Sequence, residues 1–175
     1  MNQPTRKDRT NTVQLLVLII GCILLTYFVS IGFTSRDPLW FSGGFQDQPS
    51  RIVVYHAGQR TELLPGQAGF DELATAVQTS LDQGFARLTN VGLSERSRQE
   101  AYTQFVTLEA FFDQPAKLHA WFNPGRTTQM LFPITGRHSE MSVVLLGEED
   151  QYRAGAPVLK NMEPIREALK SLGFY

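Results

Sequence analysis

An apolar run without Asp, Glu, Lys or Arg constrains this chain more than any other feature of its sequence. The run begins at Val13 and ends at Phe33, and it reads VQLLVLIIGCILLTYFVSIGF. A helix rises about 1.5 Å per residue, so residues 13–33 span about 30 Å, the thickness of the hydrocarbon core of a bilayer. The run predicts one transmembrane helix over residues 13–33, with the lipid bilayer as its partner.

Basic residues flank this run unequally. Arg6, Lys7 and Arg9 precede it, whereas only Arg36 follows it closely. Basic residues next to a membrane span favour the cytoplasmic side. We therefore expect a single-pass protein of the cell membrane, with residues 1–12 as a cytoplasmic tail and the C-terminal part outside the cytoplasm.

Two other interpretations of the run stay open. A cleaved secretory signal has an apolar region of about 7 to 15 residues and a small-residue cleavage site. This run is longer, and no A-x-A-like site comes after it. A lipoprotein signal would use Cys22, which comes after Ile19, Ile20 and Gly21, but the chain stays apolar after Cys22 where a mature lipoprotein turns polar.

Composition limits the possibilities for the part of the chain beyond the anchor. The 175 residues are 42% hydrophobic and 19% charged, which is typical of one folded domain rather than a disordered chain. The net charge of -1 offers no basic excess to attract a phosphate backbone, so no nucleic-acid partner is expected. Cys22 is the one cysteine of the chain, so the folded part can form no disulfide and no thiolate metal site.

Periodicity then divides the chain after the anchor. Residues 34–50 are rich in Ser, Gly, Gln, Asp and Pro with scattered aromatic residues, which predicts a juxtamembrane linker whose aromatic side chains lie at the membrane interface or pack on the domain. Residues 51–175 carry the periodic apolar segments and are predicted to form one extracytoplasmic domain.

Within residues 51–175 the pattern predicts strands and helices in the order ββααββββα. The predicted strands cover residues 51–57, 59–64, 105–112, 116–122, 128–134 and 141–146, with one more short strand possible within 151–157. The predicted helices cover residues 70–81, 94–104 and 162–172, the second with a capping box at Ser97 and Glu100. This order indicates an α+β fold in which the apolar stripes of the helices pack on one face of a single antiparallel sheet.

A short pattern in the predicted hairpin carries a resemblance. Arg51, Ile52, Val54 and Gly58 are followed by L-x-P-G and F-x-x-L, as far as Leu73. This pattern resembles small membrane-tethered bacterial proteins of uncharacterised function. The resemblance implies a bacterial, extracytoplasmic setting, and it transfers no activity and no site residue.

No pattern identifies a chemistry. His56, His119 and His138 lack a second ligand at metal-binding spacing, no G-x-S-x-G occurs, and Ser42-Gly43-Gly44 lacks the lysine of a phosphate loop. We therefore predict no catalytic residue, no cofactor and no metal ligand, and we interpret the three histidines as surface or hydrogen-bonded side chains.

Two features receive a specific hypothesis. Glu109 lies within the apolar run VTLEAFF and is either on the solvent face of its strand or a buried acid with a partner, of which the first is favoured. Arg126 and Arg137-His138 occupy turns that could form a basic rim for an anion if the hairpins point the same way. Solvated turn residues are the favoured interpretation of both turns.

The expected function is therefore that of a non-catalytic, membrane-anchored module, which binds a protein partner or assists an envelope complex. A small-ligand sensor domain is the first alternative, and an envelope hydrolase is the second. A deep pocket with converging polar groups would favour the hydrolase, whereas an exposed apolar patch would favour the partner module.

Overall fold

The structure is a computed structural model that describes residues 6–175, with side chains described from Asn11 onward. Part of the predicted cytoplasmic tail therefore lies outside the described residues. In chain order the elements are α1 (Arg6–Ser35), β1 (Arg51–His56), β2 (Gln59–Leu63), α2 (Phe70–Asp82), β3 (Phe85–Leu88), α3 (Glu95–Thr103), β4 (Thr107–Phe111), β5 (Gln129–Pro133), β6 (Leu145–Glu148), β7 (Gln151–Tyr152), β8 (Pro157–Leu159) and α4 (Glu163–Ser171).

The N-terminal helix α1 has the properties of a membrane span. Its part from Asn11–Ser35 is long and apolar enough to cross a bilayer, and none of its most apolar stretch is buried against the rest of the described chain. The hydroxyl of Thr26 donates to the carbonyl oxygen of Cys22 at 2.8 Å, so this polar group needs no water. The expectation of one N-terminal helix suited to a bilayer is confirmed, and α1 extends beyond residues 13–33 at both ends.

Six strands form one antiparallel sheet in the order β2-β1-β4-β5-β6-β7. The turn between β1 and β2 consists of Ala57 and Gly58, both with positive φ, as two-residue hairpin turns require. In the middle of the sheet Glu109 of β4 lies between Val53 of β1 and Leu131 of β5. Strands β4 and β5 are buried over most of their length, and β1 is buried at three of its six residues.

Helices α2 and α4 cover one face of this sheet. Alternate residues of the central strands, such as Leu108 and Phe132, belong to the same apolar cluster as the buried residues of both helices. Leu73 of α2 and Ile165 and Leu169 of α4 are completely buried there. Burial of a large aliphatic side chain contributes about 1.5–3 kcal/mol, so this face supplies most of the hydrophobic stabilisation of the domain.

The other face of the sheet is covered by α3 and by the segments around β7 and β8. Leu131, Val143, Leu145, Ala156 and Val158 form a second, smaller apolar cluster on this side. Strands β3 and β8 pair with each other in a separate two-stranded sheet, and a bridge from Val143 to Val158 connects them to the main sheet. The domain therefore has three layers rather than two.

The predicted class is confirmed, because the domain combines helices with one antiparallel six-stranded sheet. The predicted order ββααββββα is wrong in three places. Strand β3 lies between α2 and α3, residues 116–122 form no strand, and residues 151–159 contain two short strands, β7 and β8. A strand needs a neighbouring backbone to bond to, and the amide of Leu118 instead donates to the carbonyl of Ala116.

Two predictions about the helices are also corrected. The apolar residues of the helices do not all pack on one face of the sheet, since α3 lies on the face opposite α2 and α4. The capping box at Ser97 and Glu100 is wrong because α3 begins earlier. Ser94 is the N-cap residue, and its Oγ accepts a hydrogen bond of 3.2 Å from the amide of Ser97.

Candidate functional site

The segment between α1 and β1 connects the domain to the C-terminal end of α1. Asp37, two residues beyond α1, bonds through Oδ2 to Nδ1 of His119 at 2.8 Å. Ten residues later the Oδ2 atom of Asp47 accepts a hydrogen bond of 2.6 Å from the amide of Lys117. His119 and Lys117 both belong to residues 116–122, so this irregular segment is the part of the domain to which the anchor is attached.

Further contacts of the same segment reach α2. The amide of Phe45 donates to Oδ1 of Asp82 at 3.1 Å, and its carbonyl accepts from Nε2 of Gln78 at 3.2 Å. The ring of Phe45 is buried and meets the ring of Phe112 edge-on, with centroids 5.9 Å apart. Residues 34–50 were expected to form a linker. In the structure residues 34 and 35 belong to α1, and residues 36–50 pack on the domain through both backbone and side chains.

Three aromatic rings join the anchor helix to this segment. Phe28 of α1 lies 5.6 Å from Trp40 and 5.0 Å from Phe41, measured between ring centroids. Aromatic pairs at such separations contribute about 0.5–1.5 kcal/mol each beyond their burial. The C-terminal end of α1 is therefore connected to the domain by the hydrogen bond between Asp37 and His119, and to residues 40 and 41 by ring contacts.

A cavity of about 620 Å³ lies between α1 and the domain, and we name it the junction groove. Its anchor side consists of Tyr27, Ser30, Ile31 and Thr34. Its domain side is mainly apolar, with Leu88, Trp121, Phe122, Leu146, Ala154 and Pro157. It also includes Arg153, whose guanidinium donates to the backbone carbonyls of Pro124 and Arg126. This volume lies within the range of small-molecule pockets, about 300–1,000 Å³.

A second cavity, of about 390 Å³, adjoins the junction groove and has several charged residues in its lining. Asn123 and Pro124 line both cavities. Arg36, Lys117 and Arg126 surround the second cavity, which we name the basic pocket. An apolar groove and a basic pocket thus meet at the level where α1 ends.

The charges of the basic pocket are only partly compensated. The carboxylate of Asp37 bonds to His119, and Arg126 pairs with Glu148 at 3.0 Å. Arg36 and Lys117 form no ion pair with any other residue of the described range 11–175, and both side chains are exposed. Two cations are therefore available to a ligand.

A different polar cluster lies on the α3 face of the sheet, around Glu109. Oε1 of Glu109 accepts hydrogen bonds of 2.6 Å from the hydroxyls of both Tyr102 and Tyr152. Tyr55 stacks on Tyr102 with centroids 4.3 Å apart. Glu109 is 4% exposed, so the favoured expectation of a solvent-facing carboxylate is wrong and the alternative of a buried acid with a partner is correct.

The tyrosines of this cluster are held in their protonated form. Burial, followed by the negative charge of Glu109, raises the pKa of Tyr102 and of Tyr152 well above the ordinary range. The same two causes raise the pKa of Tyr55. Such hydroxyls are good hydrogen-bond donors and poor nucleophiles or general bases at neutral pH.

The geometry of the Glu109 cluster favours a structural role. The cluster connects α3, β4 and β7, in addition to the small apolar cluster on this face and the hydrogen bond from the Thr107 hydroxyl to the carbonyl of Ala101. The cavity beside Thr107 and Leu131 on this face has about 20 Å³, enough for one water molecule and too little for a substrate. Glu109 is thus a buried acid satisfied by hydroxyls, as buried carboxylates generally are.

The three histidines lie in separate places. His56 ends β1, His119 bonds to Asp37, and His138 precedes the short 3-10 turn Ser139–Met141. Within the described part of the chain no three His, Cys, Asp or Glu side chains come together as metal ligands would.

The hypothetical basic rim does not form. Arg126 and Arg137 lie beyond opposite ends of β5, and each pairs with a different glutamate, Glu148 and Glu100 respectively. Arg126 instead joins Arg36 and Lys117 in the basic pocket. Sequence reasoning missed this set, because Lys117 lies in a segment predicted as a strand and Arg36 was used only as a topology signal.

Comparison of the chain with protein-family models, with curated proteins and with solved structures found no match in any of the three. The resemblance of residues 51–73 to membrane-tethered bacterial proteins therefore stays a prediction, and the function of this chain has to be inferred from its own geometry.

Proposed function

We propose that this chain is a single-pass membrane protein whose folded domain lies outside the cytoplasm. In this proposal the domain acts without catalysis, as a module that binds a protein partner or assists an envelope complex. The uneven basic flanks of α1 support the orientation.

One observation carries the proposal. Contacts fix the orientation of the domain relative to α1, whereas a free linker would leave the domain mobile. The hydrogen bond between Asp37 and His119 and the ring contacts of Phe28 hold one side of the domain next to the C-terminal end of α1, which in this proposal lies at the membrane surface. A soluble substrate reaches an active site in any orientation of the domain. A fixed orientation matters when the domain must meet a partner that is itself fixed in the same membrane.

The Glu109 cluster gives the hydrolase alternative no support. A hydrolase needs a cavity that brings substrate to its acid or nucleophile. The Glu109 carboxylate is buried and engaged by two hydroxyls, and the adjacent cavity holds one water molecule at most.

The proposal is tested by weakening the contacts between α1 and the domain while the fold of the domain stays intact. The Gly43 insert is a short Gly-Ser insert between Gly43 and Gly44, combined with Asp37→Ala. The insert lengthens the connection between α1 and the residues from Phe45 onward, and the substitution removes the bond from Asp37 to His119. A Cβ at Gly43 meets nothing within 4 Å, so the backbone is accessible there. The same insert at Gly66, an open turn between β2 and α2, is the matched control.

The readout is the mass of the full-length protein in mildly solubilised native membranes, by native electrophoresis. We expect the wild-type chain and the Gly66 insert to migrate in the same discrete complex with another protein, and the Gly43 insert to dissociate from it. A wild-type chain that migrates alone in every mild detergent would overturn the proposal, and so would a complex unaffected by the Gly43 insert.

A further inference from the structure

We propose that the junction groove and the basic pocket together form a binding site for one anionic phospholipid. The acyl chain lies in the groove against α1, and the phosphate lies in the basic pocket. Such a site requires that α1 spans a bilayer, and it is independent of the protein partner proposed above.

The position of the groove determines which ligands can reach it. Its anchor side extends from Tyr27 to Thr34, the last two turns of α1, and Tyr27 lies about 12 Å below the end of the helix at Ser35. In a membrane-spanning α1 these turns lie among the headgroups and upper acyl chains of one leaflet. A lipid of that leaflet therefore enters the groove from the side, without leaving the bilayer.

The lining of the groove suits an acyl chain. Leu88 and Trp121 are exposed there, although both are large apolar side chains. A hydrocarbon chain that covers them removes apolar surface from water, at a gain of about 25 cal/mol per Å². The hydroxyls on the opposite wall carry no charge, and that of Thr34 is engaged by the carbonyl of Ser30 at 2.9 Å.

The basic pocket suits a phosphate and lies beside the end of α1, at the level where lipid headgroups would lie. Arg36 comes directly after the last residue of α1, so its guanidinium is at the membrane surface. Lys117 faces the same cavity from the domain, and both cations lack an ion-pair partner in the described chain. Arg and Lys are the usual ligands of lipid phosphate, and charge-assisted hydrogen bonds to phosphate are stronger than neutral ones.

The combination selects one class of ligand. A zwitterionic lipid would place a positive choline or ethanolamine group next to Arg36 and Lys117, where like charges repel. A soluble phosphate compound would leave the apolar groove empty. An anionic phospholipid satisfies both cavities, which share Asn123 and Pro124 as a common wall.

Trp121 provides a reporter for occupancy, because its ring lines the groove and is 40% exposed. The chain has two tryptophans, so Trp40→Phe leaves Trp121 as the single emitter. The full-length Trp40→Phe protein is reconstituted into phosphatidylcholine vesicles that contain a small fraction of brominated lipid. Bromine quenches tryptophan at short range. The brominated lipid is phosphatidylglycerol in one set and phosphatidylcholine in the other.

We expect brominated phosphatidylglycerol to quench Trp121 several-fold more than the same mole fraction of brominated phosphatidylcholine. Arg36→Gln with Lys117→Gln should abolish this preference. Arg96→Gln with Lys170→Gln removes the same charge far from the groove and should preserve it. Added glycerol 3-phosphate should not reverse the quenching, because it lacks an acyl chain.

A further variant distinguishes a lipid bound in the junction groove from lipid that is only enriched near basic residues by electrostatic attraction. Ala154→Leu narrows the groove and leaves the charge unchanged. We expect it to reduce the quenching by phosphatidylglycerol. Equal quenching by both lipids would overturn the inference. A preference that survives either the double Gln variant or Ala154→Leu would overturn it as well.

A second measurement does not depend on the Trp40→Phe substitution. The wild-type protein is released from nanodiscs of mixed phosphatidylcholine and phosphatidylglycerol, and its intact mass is determined. One retained phosphatidylglycerol is expected, and none in Arg36→Gln/Lys117→Gln. A wild-type chain that retains no lipid, or retains phosphatidylcholine equally, would contradict the inference.

Discussion

The hydroxyl of Tyr102 donates a hydrogen bond of 2.6 Å to Oε1 of Glu109, across the gap between α3 and β4. The two residues are seven positions apart in sequence and belong to different layers of the domain. The acceptor is buried and the donor comes from a helix that otherwise buries only Ala101. This contact attaches α3 to the sheet together with the buried hydrogen bond from the Thr107 hydroxyl to the carbonyl of Ala101 and the stacking of Tyr55 on Tyr102.

Tyr102→Phe removes that donor and leaves Glu109 with one fewer partner. A hydrogen bond to a charged group contributes about 1.5–3 kcal/mol, so we expect the free energy of unfolding to fall by about that amount. Thermal unfolding of the full-length protein in detergent, followed by near-ultraviolet circular dichroism, measures the loss. Tyr175→Phe changes an exposed hydroxyl and should leave the midpoint unchanged. Equal midpoints for the two variants would show that the contact is not stabilising.

The raised pKa of Tyr102 and of Tyr152 predicts alkaline instability. In the unfolded chain both hydroxyls ionise near their ordinary value of 10.0, whereas in the folded chain they stay protonated beyond it. The folded state then binds more protons than the unfolded state, so stability is fully present below about pH 10 and declines as pH rises above it.

Urea unfolding at a series of pH values from neutral to alkaline measures this decline. The double variant Tyr102→Phe/Tyr152→Phe lacks the two hydroxyls, so its stability should fall less steeply above about pH 10 than that of the wild type. Tyr175→Phe serves as the control and should retain the wild-type slope. If all three proteins declined in parallel, the cluster would not be the source of the pH dependence.

The apolar stripe of α4 should be essential to the domain. Leu169 is completely buried on the sheet, so Leu169→Ala should cost about 2–5 kcal/mol, a large part of the stability of a domain of this size. Lys170 is the next residue on the same helix and is exposed, so Lys170→Ala should cost little. Chemical denaturation of both full-length variants gives the comparison. Small, equal effects would indicate that α4 does not dock as the structure describes.

The proposed orientation is tested by labelling at the tip of the β1–β2 hairpin. Gln59 is exposed and suits a cysteine better than Gly58, because Gly58 has a φ of 83° that disfavours a side chain. In a Cys22→Ser background, Gln59→Cys should react with a membrane-impermeant maleimide on intact cells. Thr10→Cys, on the other side of the span, should react only after permeabilisation. The reverse pattern would place the domain in the cytoplasm.

Local periodicity was sufficient to predict much of this fold. The helical spacing of Phe70, Leu73 and Val77 predicts α2, and the β-branched run at residues 51–56 predicts β1, because each element buries one side of its own sequence. The α+β class comes from these segments. Nothing beyond the sequence of each segment is needed for such predictions.

Residues 116–122 illustrate where local periodicity fails. Ala116, Leu118, Ala120 and Phe122 are all buried, so the alternation of a strand is present. The segment has no strand partner beside it in the described chain. Instead the amide of Lys117 bonds to Asp47 and the ring of His119 bonds to Asp37, and both aspartates belong to residues 36–50 between α1 and β1. Burial pattern is a local property, whereas strand pairing depends on which backbone lies alongside.

The Glu109 cluster and the basic pocket were unpredictable for a related reason. Tyr102 and Tyr152 reach Glu109 from opposite directions in sequence, and Arg36 and Lys117 are separated by most of the domain. Neither set has a spacing that marks it. A charged residue in an apolar run does carry a signal, and for Glu109 the choice between solvent and a buried partner depended on contacts that only the folded chain provides.

The proposed function depends on the domain keeping one orientation relative to α1. The distance between a label on α1 and a label on the domain tests this most directly. Spin labels are attached at Val29 of α1 and Lys170 of α4, both exposed, in a full-length Cys22→Ser protein reconstituted into nanodiscs. Pulsed electron paramagnetic resonance then gives the distribution of the distance between them. We predict a single narrow distribution that broadens in Asp37→Ala/Trp40→Ala. A wild-type distribution as broad as that of the variant would contradict the claim and show a freely tethered domain.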